Sequence, residues 1–174
     1  MYPMARINRM DRIAFVEAFG AVYEHSPWVA ERAFASRPFG NRAALVAAMQ
    51  AVVTASPRET QLALSRAHPE LAGQEAVAGR LASHSSSEQA RLGINALSRA
   101  EFERMTDLNR RYRERHGFPC VIALKLHASR ASVFAEFECR IGNATEQEIA
   151  LALEQIGHIA RGRLENMVRA VAEA

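Results

Sequence analysis

The chain has 174 residues, 49% apolar and 24% charged, which reads as a soluble, globular, single domain over residues 1–174. Basic and acidic side chains leave a net charge of +3 but are interleaved, as in Arg58-Glu59, Glu101-Phe102-Glu103-Arg104 and Arg113-Glu114-Arg115; this is the pattern of a solvated helix face, not of a phosphate track. No apolar run approaches a membrane span, no targeting signal is legible, and the two cysteines, Cys120 and Cys139, form neither a metal-type nor a redox-type pair, so a reduced, cytoplasmic setting is expected.

Ala, Leu, Arg, Glu and Gln all favour helix, and helix signals follow in chain order. Helices are predicted near 8–22, 27–36, 42–55, 57–67, 74–82, 86–96, 99–116, 130–141 and from 146 to about 172. Asn8, Asn41 and Ser129 are candidate N-caps, and Pro27 and Pro57 suit first helical positions. A Ser/Thr-x-x-Glu capping box is expected at Ser56–Glu59, Ser85–Glu88, Ser98–Glu101 and Thr145–Glu148. Phe102, Met105, Leu108, Asn109 and Tyr112 fit one stripe, and Leu151, Ile156, Ile159, Leu164 and Val168 another. Gly117 suits a left-handed C-cap with Phe118-Pro119 beyond it, and Gly142-Asn143 ends the helix from Ser129. Only Cys120-Val-Ile-Ala-Leu124 could pass for a strand, and it is too short and isolated to build a sheet. The expected fold is all-α, one globular domain of eight to nine helices.

Three segments break the helical rhythm. His68 ends a helix before Pro69; it serves either the helix dipole or chemistry at a chain corner. Ser85, Ser86, Ser87, Glu88 and Gln89 make either a plain capping box or a helix start offering amides, a carboxylate and a carboxamide to a polar ligand. The stretch from Asn109 to Ile122 passes from a polar helix to an apolar connector, whose backbone groups must bond to side chains, water or a small amide-rich ligand.

Taken together, the chain resembles the OHCU (2-oxo-4-hydroxy-4-carboxy-5-ureidoimidazoline) decarboxylases of urate breakdown. The resemblance rests on His68-Pro69-Glu70-Leu71-Ala72-Gly73, Ser85-x-x-Glu88-Gln89, Leu108-Asn109-x-x-Tyr112, Gly117-Phe118-Pro119, Arg140-Ile141-x-Asn143 and Arg163-Leu164. Each string is weak alone; their order and spacing over residues 68 to 164 carry the signal. The family usually has phenylalanine where His116 and Cys120 stand, and a small residue where Leu92 stands.

The resemblance implies an all-helical homodimer, without metal or organic cofactor, that decarboxylates OHCU to S-allantoin. It implies His68 as acid or acid–base group, Glu88 as a carboxylate holding a substrate N–H or tuning His68, and Arg163 as a planar fork on a substrate oxygen. Pro69 would fix the corner. Ser85, Ser86, Ser87 and Gln89 would bind polar ring atoms, and the backbone of Phe118, Pro119, Cys120, Val121, Ile122 and Ala123 would read the amide edge of the substrate.

Two other classes compete. A helical nucleic-acid-binding regulator would explain the arginines, but no recognition helix concentrates basic and amide residues on one face. A carboxylate–histidine metal protein would use the histidines at 25, 68, 84, 116, 127 and 158, but none stands in a Glu-x-x-His or His-Glu-x-x-His pattern.

Overall fold

Capping side chains, apolar spacing and a few prolines and glycines mark where this chain turns into helix. The computed structural model describes residues 1–73 and 83–169, for 83–86 the backbone alone. Its described residues hold nine α-helices: α1 (Met4–Arg9), α2 (Arg12–Phe19), α3 (Trp28–Ala33), α4 (Arg42–Thr54), α5 (Arg58–Arg66), α6 (Ser83–Arg91), α7 (Arg99–His116), α8 (Arg130–Ile141) and α9 (Thr145–Met167). Short 3-10 turns follow at Phe34–Ser36, Ile94–Ala96 and Leu124–Leu126. The only strand-like pairing among the described residues is an isolated bridge between Tyr2 and Val168, so the fold is all-α. Among them, no helix is long and apolar enough to cross a membrane. The helix predicted at 74–82 lies outside the described residues.

Contacts divide the chain into two compact units. The first comprises Met1–Leu64 and the chain from Gly157. Here the single helix expected over 8–22 is broken: Met10 is extended, and Asp11 caps α2 by accepting from the Ala14 amide at 2.8 Å. Asn8 is therefore not a cap. It lies inside α1, and its carboxamide donates to the Phe39 carbonyl and accepts from the Phe39 amide, both at 2.9 Å. Ile7, Phe15, Phe19, Leu45 and Met49 are fully buried in this unit. Asn41 caps α4 as expected, accepting from Ala44 at 2.8 Å. The Ser56 hydroxyl donates to the Val52 carbonyl at 2.7 Å and so closes α4.

The second unit comprises Ser65–Ile156. In it α7 occupies the predicted 99–116. Both arms of its capping box form: the Glu101 amide donates to Ser98 Oγ at 3.3 Å, and the Ser98 amide to the Glu101 carboxylate at 2.8 Å. Hydrogen bonds from the Ser98 amide and hydroxyl, with the Arg130 cation beside them, hold the Glu101 carboxyl below the usual carboxylate range. Gly117 ends α7 at φ +80°, a conformation that a Cβ would strain. The inward face is Met105, Leu108, Asn109, Tyr112 and His116, whereas Phe102, predicted for the stripe, is 39% exposed. Ser129 caps α8 through the Ser132 amide at 3.3 Å.

Three of the four predicted capping boxes fail. α5 begins at Arg58, which leaves Ser56 one residue before the cap position with its hydroxyl on Val52. α6 begins at Ser83, so Ser85 lies inside the helix and not at its cap position. Thr145 is the first helical residue of α9, not its cap, and Glu148 turns inward to buried donors instead of back to the helix start.

Candidate active site

After α5 the chain turns through His68-Pro69-Glu70-Leu71-Ala72-Gly73, where Pro69 has no N–H with which to continue a helix. His68 is 6% exposed, and its amide donates to the Ser65 carbonyl at 3.3 Å. The backbone beyond it is held from two helices. Gln89 on α6 accepts from the Ala72 amide at 3.0 Å and donates to the Glu70 carbonyl at 3.4 Å. From α7, Asn109 donates to the Leu71 carbonyl at 2.9 Å, and Arg113 pairs with the Glu70 carboxylate at 2.8 Å. Ala72 sits at φ +49°, which costs a residue with a Cβ about 1–2 kcal/mol; the Gln89 bond on its amide helps to hold it there. A Cβ on Gly73 would fall 2.7 Å from that of Glu70, so the corner closes tightly only with glycine. Polar side chains thus hold the corner on both its backbone and its surface.

The second segment is the first half of α6. Because the helix begins at Ser83, the Ser85 amide lies in the first turn, where ladder partners are lacking, and the Ser87 amide lies beyond it. Glu88 is half-buried and Gln89 is 3% exposed. Gln89 lies beside the corner with both ends of its carboxamide engaged there. The side chains of Ser85 and Ser86 are outside the described residues.

The third segment, Phe118 to Ala123, is buried throughout and is neither helix nor strand. It makes no sheet ladder among the described residues, and side chains from two helices take some of its backbone groups, with a third helix bonding just beyond its end. Arg140 on α8 donates to the Val121 carbonyl at 2.7 Å, and Gln155 on α9 accepts from the Ala123 amide at 2.8 Å. Arg91 on α6 donates to the Leu124 carbonyl, and to that of His127 at 3.3 Å. Among the described residues, the amides of Cys120, Val121 and Ile122 and the Ile122 carbonyl have no hydrogen-bond partner. Burial pushes the Cys120 thiol up to about 12, so it is a neutral wall group.

Behind the connector lies a buried charge cluster. The Glu148 carboxylate, fully buried, accepts from Tyr112 Oη at 2.5 Å, Arg140 Nε at 2.9 Å and Asn143 Nδ2 at 2.7 Å. Glu136 meets Arg140 at 3.2 Å, and His127 meets Glu136 at 3.0 Å. His116 packs on Tyr112 and Phe118, with Nδ1 3.1 Å from Thr145 Oγ1 and the Ile141 backbone beside the ring. Burial lowers its pKa below the ordinary value of 6.5, with the Arg115 and Arg140 cations acting the same way and Glu148 opposing them. Between its two pKa values the unfolded chain binds more protons than the native one. This residue's contribution to stability is therefore complete above about pH 6.5 and is lost as pH falls through the lower native value. The melting temperature of wild type should drop more between pH 7.5 and pH 5 than that of His116→Phe; equal slopes would show that His116 does not titrate this way.

Arg163 belongs to the first unit, where it is 3% exposed. Its Nη1 pairs with Glu24 at 2.9 Å and donates to the Val22 and Ala21 carbonyls at 3.2 and 3.4 Å. Among the described residues, no group of three or more His, Cys, Asp or Glu side chains is placed to hold a metal ion.

A family model described as OHCU decarboxylase matches residues 8–165. The chain belongs to the OHCU decarboxylase family. It is 42% identical over 161 residues to a 2-oxo-4-hydroxy-4-carboxy-5-ureidoimidazoline decarboxylase of Haloferax volcanii, covering 92% of this chain and 93% of that one. A mouse protein of the same name is 35% identical over 167 residues, covering 96% of this chain and 93% of its own. A crystal structure of (S)-allantoin synthase superposes with a TM-score of 0.76 at 30% identity; it covers 97% of this chain, which spans about half (54%) of that crystallised chain.

Within the second unit this OHCU decarboxylase family member draws two of its candidate segments together around α6, where Gln89 serves the corner and Arg91 the connector. Sequence reasoning missed Glu136, Glu148 and Gln155. Glu148 was read as a cap because a Thr stands three residues before it. Gln155 carried a usable signal, a buried carboxamide on an otherwise apolar helix face; it is 9% exposed beside Ala152 and Ile156.

Proposed function

We propose that the chain decarboxylates OHCU to S-allantoin and carbon dioxide, as a carboxy-lyase of purine catabolism that needs neither metal nor organic cofactor. The observation that carries the proposal is the fixed corner: a buried histidine at the turn after α5, with the backbone beyond it tied to α6 and α7. The continuous family match over residues 8–165 supports reading the chain as one functional domain.

The substrate places its carboxylate and hydroxyl on one ring carbon, beside a C=N carbon bearing the ureido group. Breaking the C–CO2 bond leaves an electron pair that the C=N unit absorbs, so the substrate is its own electron sink. A proton must then reach the ureido-bearing carbon on one face. His68 delivers that proton, since imidazole can exchange protons near neutral pH. Glu88 holds a substrate N–H or sets the protonation of His68. Pro69 directs the corner, and the first turn of α6 with Ser85, Ser86, Ser87 and Gln89 faces polar ring atoms. The unpartnered backbone groups of Cys120 to Ile122 read the amide edge, inside a wall that includes Phe118, Pro119 and Ala123. Arg163 enters on the family resemblance, as a fork on a substrate oxygen. The same resemblance makes the working protein a homodimer, which sedimentation would test, and the two free cysteines suit a reduced, cytoplasmic setting.

The deciding experiment generates OHCU in situ from urate with the upstream enzymes and follows circular dichroism. An enzymatic product gives a growing signal from one allantoin enantiomer, whereas spontaneous decay gives a racemate. A racemate at the uncatalysed rate would sink the proposal.

Glu88 is the residue whose charge can be tested separately from its shape. Glu88→Gln keeps the size and an acceptor oxygen but loses the charge that a substrate N–H or His68 would feel. The variant is expected to melt close to wild type and to lose at least about ten-fold in activity, roughly the 1.4 kcal/mol of one charge-assisted contact. Unchanged turnover would make Glu88 a surface-side helix residue only.

A further inference from the structure

Ile122 is 3% exposed, yet among the described residues neither its N–H nor its C=O has a hydrogen-bond partner. Buried backbone groups left unpaired are rare, because each forfeits its bond to water. The peptides on either side are, by contrast, firmly held. The Val121 carbonyl accepts from Arg140 Nη1 at 2.7 Å, and the Ala123 amide donates to Gln155 Oε1 at 2.8 Å. A trans peptide is planar, with C=O and N–H pointing in opposite directions. Gripping the Val121 carbonyl therefore aims the Ile122 N–H away from Arg140. Gripping the Ala123 amide aims the Ile122 carbonyl away from Gln155. Both grips are stiff. Arg140 is itself fixed by Glu148 at 2.9 Å and by Glu136 at 3.2 Å, and Gln155 is 9% exposed on α9.

We propose that Gln155, together with Arg140, is a positioning residue that orients the two peptides flanking Ile122, so that one residue presents its N–H and C=O as a paired edge for a urea or lactam group of the substrate. This rests on the decarboxylase reading of the site and adds to it the groups that select the substrate. A urea or lactam carries a C=O beside an N–H, the complement of what Ile122 offers, and a bidentate contact rejects a ligand lacking either group. Neither Gln155 nor Arg140 touches a reacting atom. Gln155 is the better probe, because it is neutral and Arg140 also neutralises Glu148.

The test compares wild type, Gln155→Leu and Gln155→Glu. Leucine nearly preserves volume and removes the acceptor; glutamate restores an acceptor for the Ala123 amide. In Gln155→Leu the KM for OHCU should rise at least ten-fold while kcat falls no more than about three-fold, and exchange of the Ala123 amide with deuterium should quicken. Gln155→Glu should recover most of both losses. An active wild type with an unchanged KM in folded Gln155→Leu would overturn the proposal, even if Ala123 exchange quickens. Unchanged Ala123 exchange would also overturn it, since Gln155 would then not hold that peptide. An equal fall of kcat and rise of KM, with no recovery in Gln155→Glu, would reduce Gln155 to a structural residue. An inactive wild type would remove the decarboxylase reading itself, and the proposal with it.

Discussion

Replacing His68 with alanine is expected to lower kcat for OHCU by about a hundred-fold to ten-thousand-fold while the helical spectrum persists. That range is what a positioned acid–base group typically contributes to a step with proton transfer in its transition state. The fold should survive because the corner does not depend on the imidazole: Gln89 holds Ala72 and Glu70, Asn109 holds Leu71, and Arg113 holds the Glu70 carboxylate. A stereochemical readout sharpens the test. Decarboxylation can proceed without an acid, because the C=N unit takes the electron pair, but one-sided protonation cannot. The residual product of His68→Ala should therefore move toward the racemate. Near-normal turnover with a single enantiomer, in folded His68→Ala protein, would remove His68 from the mechanism.

The largest effect on stability is expected at Arg140. Arg140→Met leaves the Glu148 carboxylate fully buried with two neutral donors, Tyr112 and Asn143, and no cation. Removing one partner of a buried ion pair costs about 3–5 kcal/mol, because the remaining charge keeps its desolvation cost. For a chain of this size that corresponds to a fall in melting temperature of roughly 6–20 °C. The double variant Arg140→Met with Glu148→Leu should lose less than the sum of the two single changes, since no charge is then stranded. Urea denaturation of the four proteins would check this; strictly additive losses would mean that the two side chains are not coupled. Tyr112 reports on the same cluster. Its hydroxyl is held above its ordinary pKa of 10.0, chiefly by burial and also by the Glu148 carboxylate, so it is a donor at neutral pH.

What the sequence disclosed and what it hid follow from the range of each interaction. The capping box of α7 was legible because Ser98 and Glu101 need only each other. The same pattern misled at Thr145–Glu148, because Glu148 is claimed by Tyr112 and Arg140, 36 and 8 residues away. No local pattern can register such a distant competitor. Tyr112, Arg140 and Asn143 were visible as parts of family strings without a role. All three donate to one acceptor, Glu148, whose local pattern reads as a cap. The break between α1 and α2 was missed because no glycine or proline marks it, only Asp11. The connector is legible as an apolar break between helices, and it is buried, but its anchors Arg140 and Gln155 lie 19 and 32 residues beyond the atoms they hold.

Gln89 and Arg91 stand two residues apart on α6, one bonded to the corner that carries His68, the other to the Leu124 carbonyl where the connector ends. Positions two apart on an α-helix project about 200° from each other, so α6 is a strut between the two. In the proposed mechanism the proton donor and the amide reader then share one mount, so a displacement of that helix would carry both together. In that mechanism the distance between acid and bound carbon would be set by the one helix that holds both. A substitution that lets α6 slide would not trade affinity for turnover; it would degrade both in step.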